Sequence, residues 1–158
     1  MKITDKYVFF YNDEFSQWHT ASMIIDDVAY NCAEQYMMHQ KALLFKDYNT
    51  AKLIMSADYA GVQKKLGRAV NNFNRRVWDR NCLSIVYRGN LAKFSQNTDL
   101  KRLLLSYGDR FFVEAAERDA VWGIGLNEYS TAIENPIIWE GTNLLGTVLT
   151  MVRNELKE

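Results

Sequence analysis

From Asn31 to Phe45 the sequence reads N-C-A-E-Q-Y-M-M-H-Q-K-A-L-L-F. Leucine, methionine, alanine, glutamine and lysine are good helix formers and dominate this stretch, so it predicts a helix. Asn31 is the predicted N-cap, because its side-chain oxygen can accept a hydrogen bond from a free backbone N–H of the first turn. Glu34 and Lys41 are separated by nearly two turns, so both point the same way, about 10 Å apart along the axis.

Met38 and Phe45 share the stripe of Glu34 and Lys41, which suggests a site that holds an acid and an amine against an apolar wall. A structural interpretation stays open beside it. Glu34 follows Asn31 by three residues, where the glutamate of a capping box lies. Lys41 could equally be a solvated lysine on the outer face of the helix.

Length and composition indicate one folded domain. The chain has 158 residues, of which 48% are hydrophobic and 13% aromatic, so a disordered chain is excluded. Lysines plus arginines equal aspartates plus glutamates, which argues against a protein held to nucleic acid or membrane by its overall charge. We find no signal peptide and no apolar run of membrane-spanning length, and we predict a cytoplasmic protein without a membrane partner.

The remaining pattern predicts a mainly α fold, a single compact helical domain over residues 1–158 with a small N-terminal β element. Val8–Tyr11 is rich in strand formers. Asp26-Asp27 is a plausible two-residue hairpin turn between two further short strands. The predicted later helices are one capped by Asp47 or Asn49, one capped by Asp58 and ended by Gly67, Asn74–Phe94, Asp99–Tyr107, and one running from Asn143 to Leu156. Gly89 costs helix stability, and close packing of another element against its backbone would explain it.

Metal and cofactor sites find no support in the sequence. His19 and His39 lack paired spacing, and Cys32 and Cys82 do not form a C-x-x-C pair. Gly123-Ile124-Gly125 lacks the third glycine of a dinucleotide-binding loop. Two glycines beside Trp122 instead suggest backbone that runs close to a ligand or to another segment. We predict no metal and no cofactor.

Basic residues cluster between positions 64 and 80, namely Lys64, Lys65, Arg68, Arg75, Arg76 and Arg80. Such a cluster is typical of a solvated helix face, but arginine forks also suit a diphosphate. Trp78, between two of the arginines, could stack on a base or belong to the core. Taken singly, Asp119 is a helix-terminal acid and Asn143 the N-cap of the last helix.

Several motifs, in this order, resemble the YbiA-like family, also called NADAR. They are E-Q-Y-M-M-H-Q-K-A-L-L-F-K-D from Glu34, L-G-R-A-V from Leu66, W-D-R from Trp78, A-K-F-S-Q-N-T-D-L from Ala92, E-A-A-E-R-D-A-V-W-G-I-G-L from Glu114 and G-T-N-L-L-G-T-V-L-T-M-V-R from Gly141. The similarity extends from Phe10 to Leu156. Phe15-Ser16-Gln17-Trp18 departs from the Phe-Ser-Asn-Phe type of sequence that is usual in the family.

The resemblance implies a mainly α fold with a small β part and an N-glycosidase acting on a ribosyl–nitrogen bond. The substrates it implies are phosphoribosylated intermediates of riboflavin synthesis, or ADP-ribose attached to guanine bases in small molecules or nucleic acid. The catalytic candidates are Glu34, Lys41 and Asp119. The substrate-binding candidates are Trp18, Arg68, Trp78, Trp122, Gly123 and Asn143.

Our hypothesis assigns Glu34 to stabilise positive charge at the anomeric carbon, with Asp119 second. Lys41 would donate a proton or hold a ring oxygen. Alternatively, once deprotonated, it would attack the anomeric carbon to form an imine. The alternatives are a binding module for ADP-ribose-like nucleotides that does not turn them over, and a helical nucleic-acid-binding domain that uses the Lys64–Arg80 patch.

Overall fold

The computed structural model describes residues 1–157, and helices account for far more of them than strands, 49% against 13%. The elements are β1 (Lys2–Ile3), β2 (Tyr7–Phe10), β3 (Thr20–Ile25), β4 (Val28–Cys32), α1 (Ala33–Leu44), α2 (Tyr48–Ser56), α3 (Ala60–Arg68), α4 (Arg75–Gln96), α5 (Thr98–Ser106), β5 (Phe111–Glu114), a 3₁₀ turn (Pro136–Ile138) and α6 (Leu144–Leu156). The predicted fold class, mainly α with a small N-terminal β part, is therefore confirmed.

The chain divides into two compact units, which are described separately below. The first comprises Met1–Ser16 and the chain from Asp99 onward, and the second comprises Gln17–Thr98. That residues 1–158 form a single domain stays a prediction.

The first unit is built on a three-stranded sheet in the order β1-β2-β5. Strands β1 and β2 are antiparallel, whereas β2 and β5 are parallel, with Val8 beside Phe112. Helix α6 lies against the outer edge of β5, where the Thr150 hydroxyl accepts a hydrogen bond of 3.1 Å from the Phe112 N–H. A Cβ at Gly146 would lie 2.1 Å from the Phe112 carbonyl oxygen, so only glycine permits this approach.

The second unit joins the β3–β4 hairpin to helices α1 to α4. Asp26 and Asp27 form the hairpin turn with φ values of 52° and 64°, the left-handed conformation that two-residue hairpins favour, so the predicted turn is confirmed. Tyr36 of α1 packs so closely on α4 that a Cβ at Gly89 would lie 2.8 Å from its ring. Close packing, the predicted reason for Gly89, is therefore confirmed.

The start of α1 corrects the predicted capping. The N-cap is Cys32, whose sulfur accepts a hydrogen bond from the Gln35 N–H at 3.4 Å. Asn31 does not cap because its side-chain oxygen accepts instead from the Gln63 amide at 3.0 Å. Glu34 therefore does not occupy the capping-box position, which is three residues after the N-cap and belongs to Gln35.

The caps of the next two helices give one success and one error. Asp47 caps α2, accepting from the Thr50 N–H at 3.1 Å, as predicted. Asp58 does not cap α3, which begins after Tyr59 without a side-chain cap bond. Gly67 lies inside α3 and does not end it. The reason for glycine here is packing, since its missing side chain leaves room for the Met38 thioether of α1.

Two further features concern the cysteines and the membrane. Cys32 and Cys82 are both buried and carry free thiols. Among residues 1–157, no helix is long and apolar enough to cross a membrane.

Replacing Gly146 with alanine should destabilise the protein by about 3 kcal/mol, because the new methyl group would overlap a strand carbonyl that cannot rotate away. Chemical denaturation followed by circular dichroism measures the loss. Gly61→Ala is the matched control, since Gly61 also lies in the first turn of a helix but a Cβ there would meet its nearest neighbour at 3.7 Å. That variant should match the wild type or gain up to about 1 kcal/mol from helix propensity. Equal stabilities for Gly146→Ala and wild type would contradict the close packing of α6 on β5.

Candidate active site

Glu34 lies in the first turn of α1 and is 3% exposed. Its backbone N–H donates to the Gln17 carbonyl at 2.9 Å, which ties the start of α1 to the segment before β3. Burial raises the pKa of the neighbouring Cys32 thiol, and the negative charge of Glu34 adds to that rise while Lys93 opposes it. Glu34 is therefore an interior carboxylate rather than a solvent-facing cap.

Lys41, in the last turn of α1, is half-buried among aromatic rings. Its Nζ lies 4.8 Å from the centroid of the Phe73 ring and 5.6 Å from that of Trp78. Burial lowers the pKa of Lys41, the positive charges of Arg75 and Arg68 lower it further, and Glu34 opposes them. A fully solvated lysine, the alternative interpretation, would have neither the aromatic neighbours nor this desolvation.

The remaining candidates of the second unit differ in exposure. Trp78 is 7% exposed, so it belongs to the core and also presents its ring to Lys41. Arg68 is exposed at the end of α3, and its charge reaches Lys41. Trp18 is 46% exposed, and the Nζ of Lys64 lies 5.7 Å from the centroid of its ring. The basic cluster thus supplies a cation to the Trp18 ring through Lys64, and a positive charge near Lys41 through Arg68.

In the first unit, Asp119 shapes the backbone that carries Trp122 and Gly123. One Asp119 carboxylate oxygen accepts from the N–H groups of Val121 at 3.0 Å and Trp122 at 2.9 Å. The Gly123 carbonyl accepts from the Asn143 N–H at 3.0 Å, and a Cβ at Gly141 would lie 2.3 Å from that carbonyl oxygen. Of the two interpretations of these glycines, the close approach of another segment is therefore observed.

Asn143 precedes α6 with a left-handed φ of 52°, but its side chain does not cap the helix. The side-chain oxygen accepts from the Glu114 N–H at 2.9 Å, and the side-chain NH₂ donates to the Phe112 carbonyl at 3.0 Å. The amide thus takes the place of a neighbouring strand along the edge of β5. Asn143 lies at the predicted N-cap position, with a different structural role from the predicted one.

Within the second unit the structure groups Glu34, Lys41, Arg68 and Trp78, and within the first it groups Asp119, Trp122, Gly123 and Asn143. Their catalytic and substrate-binding roles stay predictions. Sequence reasoning missed Phe73 beside Lys41 and the influence of Arg75 on its pKa. It also missed Lys93, which is fully buried. The position of Lys93 inside the A-K-F-S-Q motif was the signal available for it.

A cavity of about 670 Å³ lies in the first unit but is not lined by any predicted site residue. Its lining residues are Asp5, Lys6, Tyr7, Tyr107, Gly108, Asp109, Arg110, Phe111, Pro136 and Trp139. The cavity lies at the N-terminal ends of β2 and β5, whereas Asp119 and Asn143 follow or adjoin the C-terminal end of β5. Its volume suits a ligand, but volume alone does not supply an acid and an amine.

Comparisons with known proteins identify the family of the chain. The model of the NADAR domain family matches residues 9–157. The chain belongs to the NADAR family. An N-glycosidase of Acanthamoeba polyphaga mimivirus is 42% identical over 96% of this chain and 97% of its own length. An N-glycosidase of Nostoc punctiforme is 31% identical over 90% of this chain and 85% of its own length.

The NADAR fold is confirmed by a solved structure. The NMR structure of the E. coli protein YbiA superposes with a TM-score of 0.79 at 25% identity, covering 99% of this chain and 88% of YbiA. Both of these relatives of the NADAR chain carry N-glycosidase names, and the prediction of an N-glycosyl hydrolase is confirmed at that level. These names do not identify the substrate.

Asn143→Asp should lower the free energy of unfolding by about 2 kcal/mol, because a carboxylate keeps the acceptor for Glu114 but leaves the buried Phe112 carbonyl without its donor. Thermal and urea denaturation measure the change. Asn127→Asp is the matched control. The Asn127 side-chain oxygen accepts a hydrogen bond from the Tyr129 N–H at 2.9 Å, and an aspartate oxygen can accept the same bond. Unchanged stability in Asn143→Asp would mean that the edge contacts of β5 contribute little.

Arg75→Gln should raise the pKa of Lys41, because one of the two cations that disfavour its charged form is removed. Arg76→Gln should shift it far less, since the positive charges that lower the pKa of Lys41 are those of Arg75 and Arg68. NMR titration of isotopically labelled lysine side chains follows the Lys41 signal directly. A fall in the pKa of Lys41 in Arg75→Gln, or equal shifts in both variants, would contradict this electrostatic account.

Proposed function

We propose that this protein is an N-glycosidase that hydrolyses a ribosyl C–N bond in a nucleotide-like substrate. The observation that carries the proposal is that one helix presents a buried carboxylate, Glu34, and an amine of lowered pKa, Lys41. Family membership and the names of the relatives support the same class of reaction.

The chemistry requires these two kinds of group. As the C–N bond breaks, positive charge builds at the anomeric carbon, the departing nitrogen takes a proton, and water adds to the carbon. A carboxylate such as Glu34, held away from solvent, stabilises that developing charge more strongly than one in water. Asp119 is the second carboxylate candidate, with one oxygen occupied by backbone N–H groups.

Lys41 fits two roles. As an ammonium it would donate the proton that the leaving nitrogen needs. As a neutral amine it would attack the anomeric carbon, the base would leave with a proton, and the opened sugar would be held as an imine until water released it. The lowered pKa of Lys41 supports the second role, because it increases the fraction of neutral amine at a given pH.

Residues around Lys41 suit the rest of a nucleotide. Arg68 and Arg75 would bind phosphate oxygens, for which the guanidinium fork is well shaped. Trp78 and Phe73 form an aromatic wall beside Lys41, and Trp18 would stack on the base. In the first unit, Trp122, Gly123 and Asn143 are proposed separately as substrate-binding residues, with the Trp122 ring available for stacking. The substrates we propose are a phosphoribosylated intermediate of riboflavin synthesis and ADP-ribosyl-guanine, free or in nucleic acid, acted on in the cytoplasm.

The second candidate function is a module that binds ADP-ribose-like nucleotides without turnover. The exposed cations and aromatic rings near Lys41 favour it, because recognition alone needs only these groups. The buried carboxylate of Glu34 favours the enzyme. Burying a charge is unfavourable, and a site that only recognises a nucleotide does not require a carboxylate in the interior.

Glu34→Gln should lower the release of free base by about 10²-fold or more, with an unchanged melting temperature, because the amide cannot stabilise a developing cation. Mass spectrometry of reactions with phosphoribosylated pyrimidines, ADP-ribosylguanosine and ADP-ribosylated DNA measures the product. Glu117→Gln, at an exposed position, is the matched control. Equal activity of Glu34→Gln and wild type would remove Glu34 from the reaction.

Borohydride treatment during turnover separates the two roles of Lys41. The imine route predicts a substrate-dependent adduct at Lys41 that is lost in Lys41→Met and kept in Lys52→Met, since Lys52 is an exposed lysine of α2. Turnover without an adduct would rule out the imine route. Tight binding of ADP-ribose in calorimetry, with no product from any substrate, would favour the binding module.

A further inference from the structure

The cavity of about 670 Å³ in the first unit is left unused by the proposed function. Tyr7 and Phe111 line it, and they are neighbours in register at the N-terminal ends of the parallel strands β2 and β5. Pro136 and Trp139, from the 3₁₀ turn and the residue that follows it, also line the cavity. Every lining residue belongs to the first unit, so this compact part of the chain builds the cavity by itself.

Four aromatic side chains line the cavity, those of Tyr7, Tyr107, Phe111 and Trp139. The Trp139 indole is fixed in place, because its N–H donates to the Ile133 carbonyl at 2.6 Å and its ring lies edge-on to Tyr7 with 5.6 Å between the centroids. Phe111 is 37% exposed, so part of its surface remains for a ligand. Aromatic rings that stack or meet edge-to-face gain energy beyond the burial of their area, and these walls therefore favour an aromatic ligand.

Arg110 supplies the cavity with a cation that is already oriented. Its Nε donates to the Thr4 carbonyl at 2.6 Å, and its Nη1 donates to the Tyr107 carbonyl at 3.0 Å. Both acceptors are uncharged, and among residues 1–157 no carboxylate lies within ion-pairing distance of Arg110. A guanidinium carries five N–H donors, so it can still donate to a further acceptor. A half-buried cation in this state favours an anion as its partner.

The other charges at the cavity balance one another. Asp109 is paired with Lys157, which lowers the pKa of the Asp109 carboxyl and keeps it ionised. Asp5 and Lys6 are exposed lining residues of opposite charge. The positive charge of Arg110 is therefore the one that these neighbours leave uncompensated.

We propose that this cavity is a second binding site, which takes a small molecule with a planar aromatic ring and one anionic group, a carboxylate or a phosphate. The ring contacts Phe111, Tyr7 and Trp139, and the anionic group accepts hydrogen bonds from Arg110. The volume lies in the range of small-molecule sites. This inference goes beyond the proposed function and does not depend on it, because neither Glu34 nor any other predicted site residue lines the cavity.

The indole N–H signals of the tryptophans locate a bound ligand in an NMR titration. Trp139 lines the cavity, whereas Trp18, Trp78 and Trp122 do not. We expect indole-3-acetate to shift the Trp139 signal, which Trp139→Phe assigns, and to leave the other three in place. Tryptamine carries the same ring with a positive charge and should bind at least about tenfold more weakly.

Adenosine 5′-monophosphate, titrated in the same way, distinguishes the two anionic groups. A Trp139 shift at lower concentration of this nucleotide than of indole-3-acetate identifies a phosphate site, and the reverse order identifies a carboxylate site. No Trp139 shift by either compound at millimolar concentration would overturn the proposal. Equal affinity for indole-3-acetate and tryptamine would overturn it as well.

Variants test the cation and the ring separately. Arg110→Gln should weaken the binding of indole-3-acetate about tenfold or more. Since Arg110 also bonds two backbone carbonyls, Phe111→Thr is the independent variant; it removes a ring, keeps a strand-forming residue and should cost a similar factor. The matched controls are Arg102→Gln and Tyr129→Thr, which change a cation and an exposed ring away from the cavity and should keep wild-type affinity. Wild-type affinity in Phe111→Thr, or in a folded Arg110→Gln, would overturn the proposal.

Glu34→Gln separates this inference from the proposed function. It should bind indole-3-acetate with wild-type affinity while losing the release of base. Loss of indole-3-acetate binding in Glu34→Gln, or a shift of the Trp18, Trp78 or Trp122 signal in place of Trp139, would put the ligand elsewhere and overturn the second site. Binding at Trp139 by a protein that releases no base from any substrate would overturn the proposed function and support the second site.

Discussion

Helix α1 packs against two other helices where those helices have no side chain. Met38 occupies the space above Gly67 of α3, and Tyr36 occupies the space above Gly89 of α4. This close approach buries the first half of α1 on all sides, and six consecutive residues from Ala33 to Met38 are buried. A helix enclosed in this way takes whatever polar residues it carries into the interior.

Buried polar side chains around the start of α1 accordingly form hydrogen bonds with their neighbours. The Gln35 amide donates to the Ile54 carbonyl at 3.2 Å, and its side-chain oxygen accepts from the Asn31 N–H at 2.8 Å. The fully buried Gln63 donates to Asn31 and to the Ala57 carbonyl at 2.9 Å. The two glutamines thus supply hydrogen-bond partners to backbone groups that flank the start of α1. They fix the helix rigidly at the turn that carries Glu34.

The electrostatics of α1 follow from the same enclosure. Glu34 is near the N-terminus and Lys41 near the C-terminus of the helix, so the helix dipole favours the charged form of both, by up to about 1 kcal/mol each. For Lys41 the direction of the pKa shift shows that the dipole does not prevail. Burial against aromatic rings and the charges of two neighbouring arginines lower the pKa of Lys41. Together they outweigh both the helix dipole and the charge of Glu34, which would raise it. The surroundings of the amine, and not its place in the helix, set its charge.

What the sequence could predict depended on whether the cause was local. The hairpin at Asp26-Asp27 could be predicted because aspartate tolerates positive φ. The close contact at Gly89 could be predicted because no local reason favours glycine inside a helix. The cap at Cys32 could not be predicted, because Asn31 is the better capping residue and is excluded only by Gln63, which is distant in sequence. The contact between Phe73 and Lys41 could not be predicted for the same reason, because the tertiary fold brings these two residues together.

The residues singled out by family resemblance divide into two physical kinds. Asn143, Asp119 and Gly123 act on backbone: Asn143 completes the edge of β5, Asp119 holds two N–H groups, and Gly123 admits a neighbouring segment. Glu34 and Lys41 instead present charge from a single helix. Residues of the first kind stabilise the fold whether or not they touch a substrate, so a loss of activity on changing them would not by itself show a chemical role. Residues of the second kind carry charge where burying it is unfavourable, and these are the two side chains that we proposed for the reaction.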